Sequence, residues 1–247
     1  MKRTVIYPIA NGNYTDSNIE LILSLRSLEA NLREEFQVIV ISEREPMYLS
    51  DEVMFAKCDS YSHAMQLACS IDKEFLWMND DIMFLRPHTW DQLKKWARGD
   101  SEVSESRIQK MTEGNGWSKR KGQVLSKLAE ENKTTYDYST HLPYHYESEK
   151  LATLLDSGDF NFGYKTPVET AYGNSYDVER RDQCNKLSRH HNRHLPVDPT
   201  KYHFLNYSDA ADLPHVRGFL LGMFSKPSRF EDFGKLSLDT LTLEQLK

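Results

Sequence analysis

The sequence predicts an α/β fold with a doubly wound, mostly parallel sheet that carries helices on both faces. Through residue 98, short apolar runs typical of buried strands alternate with segments of helical periodicity. A chain of 247 residues is long enough to bury a full core. No apolar stretch reaches membrane-spanning length. We therefore expect residues 1–247 to form a single catalytic or binding domain without a membrane segment.

The first elements follow from local patterns. Residues 3–9 predict a strand, and the next helix begins at a capping box formed by Ser17 and Glu20. Four leucines at helical spacing predict that one face of this helix lies in the core: Leu21, Leu25, Leu28 and Leu32. Further strands are predicted over residues 36–41 and 53–56, and a short helix over residues 62–70.

The most informative feature is an acidic motif, Asn79-Asp80-Asp81, which follows the apolar run 75–78 and precedes the apolar run 82–85. Such runs predict buried strands. Carboxylates at the end of a buried strand are unfavourable unless a cation or a ligand compensates them, and open α/β sheets bind ligands at this edge. Because hard oxygen donors suit Mg²⁺ or Mn²⁺ with phosphates, the motif predicts a metal–diphosphate site. The alternative is an ordinary turn or helix cap.

Composition and charge restrict the remaining possibilities. The net charge of −6 gives no global attraction to nucleic acid, although a local basic face would supply it. Three cysteines, Cys58, Cys69 and Cys184, lack metal-finger spacing and predict reduced structural thiols. The first eight residues do not fit a signal peptide, because their apolar run is short and ends at Pro8. We therefore expect a cytoplasmic location.

Four sequence blocks resemble the Stealth family, sugar-phosphate transferases of capsular polysaccharide synthesis. The first block is Glu20-Leu21-x-x-Ser24-Leu25-Arg26-Ser27-Leu28-Glu29 together with residues 75–84. The second is His141-Leu142-Pro143-Tyr144. The third is Phe204-Leu205-Asn206, and the fourth is residues 224–231, which contain Pro-Ser-Arg-Phe-Glu. The opening strand departs from the family, because Tyr7-Pro8-Ile9-Ala10-Asn11-Gly12 replaces its acid-containing run. The acidic motif also resembles the Asp-x-Asp signature of GT-A glycosyltransferases, which implies a GT-A-like sheet and a metal at Asp81.

These resemblances imply roles for individual residues on the donor side. Asp81 would coordinate Mn²⁺ or Mg²⁺, Asn79 would contact ribose or phosphate, and Asp80 would orient nearby basic groups. The other donor-binding candidates are Arg26, Arg180, Arg181 and Asn206. For Arg180 and Arg181, ordinary pairing on the surface is the alternative to clamping a diphosphate.

Two residues are candidates for the general base that deprotonates the acceptor. His141 is the first, because the unperturbed pKa of a histidine is about 6.5. Glu169, in Thr166-Pro167-Val168-Glu169-Thr170, is the competing candidate, and an ordinary solvated glutamate is the alternative. The dense His, Tyr, Asn and Arg content from Thr140 to His194 predicts a ligand-facing acceptor side.

The predicted function is that of a metal-dependent glycosyltransferase that moves a sugar from a nucleotide-diphosphate sugar, expected to be a UDP-sugar, to an acceptor hydroxyl. The predicted acceptor is polymeric, either a saccharide or a hydroxymethylated DNA base. Residues 1–98 would bind the donor, residues 99–135 would form a mobile helical insertion with the basic run Lys119-Arg120-Lys121, and residues 136–247 would face the acceptor. Two alternatives remain open: a sugar-1-phosphate transferase that releases nucleoside monophosphate, and a non-catalytic nucleotide- or carbohydrate-binding module.

Overall fold

The computed structural model describes residues 2–9, 19–46, 48–160, 166–180, 186–188, 202–206 and 214–232. The chain divides into two compact units. Unit 1 consists of Met1–Lys57, Trp77–Trp90 and Gln183–Lys247, and unit 2 consists of Cys58–Leu76 and Asp91–Asp182. The acidic motif therefore belongs to unit 1, whereas His141 and Glu169 belong to unit 2.

The described elements follow the alternation that the sequence predicts. The strands are β1 (Arg3–Ile9), β2 (Phe36–Ser42), β3 (Val53–Lys57), β4 (Glu74–Trp77), β5 (Ile82–Phe84), β6 (Tyr144–Glu147), β7 (Lys186–Ser188) and β8 (Phe204–Asn206). The helices are α1 (Ile19–Asn31), α2 (Tyr61–Ile71), α3 (Trp90–Lys94), α4 (Glu105–Thr112), α5 (Gly116–Glu130), α6 (Ser148–Asp156), α7 (Val168–Ser175) and α8 (Pro214–Met223). The predicted cap residue Ser17 lies outside the described residues.

Unit 1 is built on parallel strands. β1 pairs with β2 and β2 pairs with β3, both in parallel, with Val5 opposite Val38 and Val38 opposite Val53. In a second sheet β8 pairs in parallel with β7 and antiparallel with β5. The α/β class and the mostly parallel sheet are therefore confirmed.

Helix α1 supplies much of the core of unit 1. The four leucines predicted to face the core are all buried. On another side of the helix, Leu23 packs with Met83 of β5, Leu205 of β8 and Leu220 of α8. Because α1 is buried on several sides, its polar residues also meet the interior, and this determines how the acidic motif is held.

Unit 2 has an aromatic core around the buried Trp96. Its ring centroid lies 5.9 Å from that of Tyr138, 5.1 Å from those of Tyr144 and Tyr146, and 5.3 Å from that of Tyr172. The Tyr144 hydroxyl donates to the Tyr138 carbonyl oxygen at 2.9 Å. The prediction that this tyrosine-rich segment forms a ligand-facing surface is wrong for Tyr144, Tyr146 and Tyr172, because they are buried.

The predicted insertion over residues 99–135 contains the helices α4 and α5, joined at the Gly114-Asn115-Gly116 turn. The two helices approach closely at Gly122, where an added Cβ would lie 2.6 Å from the backbone nitrogen of Thr112. In the predicted basic run, Lys119 and Arg120 are exposed, whereas Lys121 is buried and its ammonium group pairs with Asp137 at 2.7 Å. Lys121 is therefore part of the packing of unit 2 and not of an exposed basic face.

None of the helices in the described part of the chain is long and apolar enough to span a membrane. Cys58 and Cys69 are free thiols, and Cys184 lies outside the described residues.

Candidate functional site

The acidic motif forms a turn in unit 1 directly after β4. The strand ends at Trp77, the Met78 N–H donates to the Ile6 carbonyl oxygen of β1 at 2.9 Å, and the Ile82 N–H donates to the Asn79 carbonyl oxygen at 3.3 Å. Asn79, Asp80 and Asp81 are all half-buried. Because the strand has already ended, the alternation of strand side chains does not force the two carboxylates to opposite faces.

The strand after the motif, β5, is held at both edges. On one edge it pairs antiparallel with β8, and on the other edge three polar side chains of α1 bind its backbone. Ser24 Oγ donates to the Ile82 carbonyl oxygen at 2.5 Å, Ser27 Oγ accepts from the Phe84 N–H at 3.0 Å, and Asn31 Nδ2 donates to the Phe84 carbonyl oxygen at 2.9 Å. These side chains replace a neighbouring strand, so a strand of only three residues has a fixed position.

Sequence reasoning did not identify this support, although the spacing carries a signal for it. Ser24, Ser27 and Asn31 lie at positions i, i+3 and i+7 and therefore share one side of α1. Ser24 and Ser27 are fully buried in a helix that is otherwise rich in leucine. Buried hydroxyls need partners, and here the partners are the backbone groups of β5.

Asn206, a predicted donor-binding residue, lies beside the motif. It is paired in the β5–β8 ladder with Ile82, the residue that follows Asp81. Residues directly opposite each other in such a ladder project to the same face. Asn206 is 3% exposed, and its Nδ2 has no hydrogen-bond partner among the described residues. A buried amide donor without a hydrogen-bond partner lowers the stability of a protein by about 1–3 kcal/mol. A hydrogen bond to a ligand oxygen would offset this loss.

Arg26 has a hydrogen-bond partner within unit 1 for each of its three guanidinium nitrogens. Nε and Nη2 bind the two Glu231 carboxylate oxygens at 2.8 and 2.7 Å, and Nη1 donates to the Phe224 carbonyl oxygen at 3.0 Å. Glu231 also accepts from the N–H and the hydroxyl of Ser228. This geometry favours a structural role for Arg26, which joins α1 to the Pro-Ser-Arg-Phe-Glu run, over the predicted contact with the donor.

The residues around the motif fit a hard divalent cation only if the substrate supplies part of its coordination. In the described part of the chain, no group of three or more His, Cys, Asp or Glu side chains is arranged to hold a metal ion. Mg²⁺ and similar ions are commonly held by one or two carboxylates together with phosphate oxygens and water. The half-buried carboxylates of Asp80 and Asp81 match that type of site.

In unit 2, the two candidates for a general base differ in their surroundings. His141 is exposed, has a positive φ of 49°, and its backbone N–H donates to the Tyr144 hydroxyl at 3.1 Å. Glu169 is the second residue of α7. Burial raises the pKa of its carboxyl group from 4.5 to about 7, its own backbone N–H lowers it, Asp137 raises it further and Lys121 lowers it. A carboxyl pKa near 7 suits proton transfer near neutral pH.

Arg180 lies in unit 2 and pairs with Asp100 on the surface. Its side chain is 40% exposed, which agrees with the alternative of ordinary surface pairing. Arg181 lies outside the described residues.

Comparisons with known proteins found structural similarity only. No protein-family model matches the chain, and no curated protein matches it. The galactosyltransferase LgtC, solved with donor and acceptor sugar analogs, aligns with 94% of this chain and 99% of its own, at 9% identity and a TM-score of 0.46. The apo form of the glycosyltransferase GlyE of Streptococcus pneumoniae TIGR4 aligns with 99% of this chain and 64% of its own, at 11% identity and a TM-score of 0.38.

Both TM-scores are below 0.5, and both sequence identities are below 25%. The resemblance to the Stealth family stays a prediction from the sequence, since no family model supports it.

Proposed function

We propose that the protein is a metal-dependent glycosyltransferase of GT-A type that takes a sugar from a nucleotide-diphosphate sugar, expected to be a UDP-sugar. The observation that carries the proposal is the acidic motif, held in a turn directly before Ile82, whose ladder partner Asn206 has a buried Nδ2 with no hydrogen-bond partner among the described residues. Half-buried carboxylates and an amide donor together suit a cation and the phosphate or hydroxyl oxygens that accompany it.

Each residue of the motif has a proposed task. Asp81 holds Mn²⁺ or Mg²⁺, Asp80 orients the groups around it, and Asn79 and Asn206 bind oxygens of the donor. When bound, the cation neutralises the negative charge that develops on the leaving diphosphate. Arg180 and Arg181 are retained only as secondary candidates for contact with phosphate.

The acceptor and its base belong to the same proposal. The acceptor is a hydroxyl of a saccharide or of a hydroxymethylated DNA base. Glu169 and His141 are the candidates for the base, and a carboxyl pKa near 7 suits Glu169 for that role. A rate that increases with pH in the wild type, and loses this dependence in Glu169→Gln but not in His141→Gln, would select Glu169.

Calorimetric titration with UDP, with and without Mn²⁺, tests the donor site. We expect binding that requires Mn²⁺ and that Asp81→Asn weakens by more than about 100-fold, because loss of an outer-shell partner alone costs 10- to 100-fold. Asp51→Asn is the matched control, since Asp51 is an exposed aspartate in another turn of unit 1. Binding that is independent of Mn²⁺, or equal in the two variants, would refute the proposal.

Attack at phosphorus instead of the anomeric carbon would make the protein a sugar-1-phosphate transferase. The donor site described above serves both reactions, and the identity of the released nucleotide separates them.

A further inference from the structure

A short chain of buried hydrogen bonds connects β1 to the residue that follows the acidic motif. Tyr7 lies in β1, and its hydroxyl oxygen is 3.0 Å from Ser24 Oγ in α1. Ser24 Oγ donates to the Ile82 carbonyl oxygen at 2.5 Å. Because the Ser24 proton is used in that bond, the Tyr7 hydroxyl must be the donor to Ser24.

Both hydroxyls are sealed from solvent. Tyr7 and Ser24 are each 0% exposed, so water cannot replace either bond if it is lost. Burial raises the pKa of the Tyr7 hydroxyl, and the nearby Asp80 carboxylate raises it further. Tyr7 therefore keeps its proton and remains a donor over the whole physiological range.

Packing alone does not account for these two hydroxyls. Phenylalanine would fill the space of Tyr7 without a buried hydroxyl, whereas alanine at Ser24 would leave the buried Ile82 carbonyl oxygen without the Ser24 hydroxyl as its donor. The bonded hydroxyls instead fix one specific atom, the carbonyl oxygen of the residue after Asp81. Because Ile82 directly follows Asp81 in the chain, a fixed Ile82 carbonyl group restricts the backbone that carries the Asp81 carboxylate.

We infer that Tyr7 and Ser24 are positioning residues, which hold the backbone at Ile82 and thereby orient the Asp81 carboxylate toward the cation of the nucleotide donor. This inference rests on the proposed function. It assigns a positioning role to β1, which carries Tyr7 and lacks the acid-containing run of the Stealth family's opening strand.

The same helix offers a matched control. Ser27 lies one turn after Ser24, is equally buried, and its hydroxyl accepts from the Phe84 N–H at 3.0 Å. It therefore supports the same strand at the peptide group between Met83 and Phe84, which is the next one after the Ile82 carbonyl group and lies further from the motif. A merely structural role predicts that Ser24→Ala and Ser27→Ala have equal effects on metal binding.

The experiment is a titration of Mn²⁺ in the presence of UDP, followed by the electron paramagnetic resonance signal of free Mn²⁺. We expect Tyr7→Phe and Ser24→Ala to weaken Mn²⁺ binding about 10- to 100-fold, the range seen for outer-shell partners of metal ligands. Ser27→Ala should bind Mn²⁺ like the wild type. Urea unfolding of all variants confirms that they are folded, and it should show similar losses of stability for the two serine variants.

Failure of the positioning role and failure of the proposed function would give two different results. The first case is that the wild type binds Mn²⁺ and Asp81→Asn does not. The positioning role is then overturned if Ser24→Ala and Ser27→Ala bind Mn²⁺ equally, or if Tyr7→Phe binds it like the wild type. If the wild type and Asp81→Asn both fail to bind Mn²⁺ with UDP, the proposed function itself fails, and the inference falls with it.

Discussion

Glu169 should make the stability of the protein decrease as the pH rises from about 4.5 to about 7, and Glu169→Gln should remove this decrease. Burial raises the pKa of its carboxyl group from 4.5 to about 7. Between these two values the unfolded chain has lost the proton while the folded protein still holds it. The folded state therefore binds more protons than the unfolded state, and its stability falls with rising pH in this window.

The size of the effect follows from the same two values. Raising a pKa from 4.5 to about 7 corresponds to roughly 3 kcal/mol, at 1.36 kcal/mol for each pKa unit. Glu169 is half-buried as a residue, so contact with water makes this figure an upper bound. The decrease begins near pH 4.5 and is complete above about pH 7, where both states are ionised.

The assay is urea unfolding of the wild type and Glu169→Gln, from about pH 4.5 to about pH 8.5. The free energy of unfolding of the variant, relative to the wild type, should increase by up to about 3 kcal/mol over this range. Glu149→Gln is the matched control, because Glu149 is the second residue of α6 as Glu169 is of α7, but is exposed. Parallel curves for the wild type and Glu169→Gln would refute the reasoning.

Three further predictions concern stability. Glu231→Gln leaves the Arg26 guanidinium, 11% exposed, without its counter-charge, and should lower the free energy of urea unfolding by about 3–5 kcal/mol. Gly122→Ala should lower the stability of the protein by about 1–3 kcal/mol in thermal melts, because the new Cβ meets the backbone of α4. Gly218→Ala, whose Cβ would have nothing within 4 Å, should leave the stability unchanged or raise it by up to about 1 kcal/mol. The pKa of His145 is lowered from 6.5 to about 4, chiefly by burial, so it stays neutral where the unfolded chain binds a proton. Stability should therefore fall as the pH drops from 6.5 toward 4, and His145→Asn should lessen this loss in acid titrations.

Local patterns predicted the elements of unit 1 well. The leucine periodicity of α1 and the apolar runs of β1, β2 and β3 are properties of consecutive residues, and the structure places all of them as predicted. The position of the acidic motif directly after a buried strand was equally readable from the sequence. These features need no knowledge of distant partners.

Features that depend on distant partners were not predictable in this way. Tyr144 and Tyr172 are buried because their hydroxyls find partners in the Tyr138 carbonyl oxygen and the Glu147 N–H. Lys121 is buried because Asp137 neutralises it. A sequence pattern shows that such groups are polar, and only the fold determines whether they find a hydrogen-bond or ion-pair partner in the protein interior.

The most direct test of the proposed function is the mass of the nucleotide released from a panel of UDP- and other nucleotide-sugars. The protein is supplied with Mn²⁺ or Mg²⁺ and with saccharide or hydroxymethylated DNA acceptors, in parallel with Asp81→Asn. We predict that one donor yields nucleoside diphosphate and that the variant abolishes this release. Nucleoside monophosphate would contradict transfer from the anomeric carbon, and no release from any donor would contradict the assignment of an enzyme.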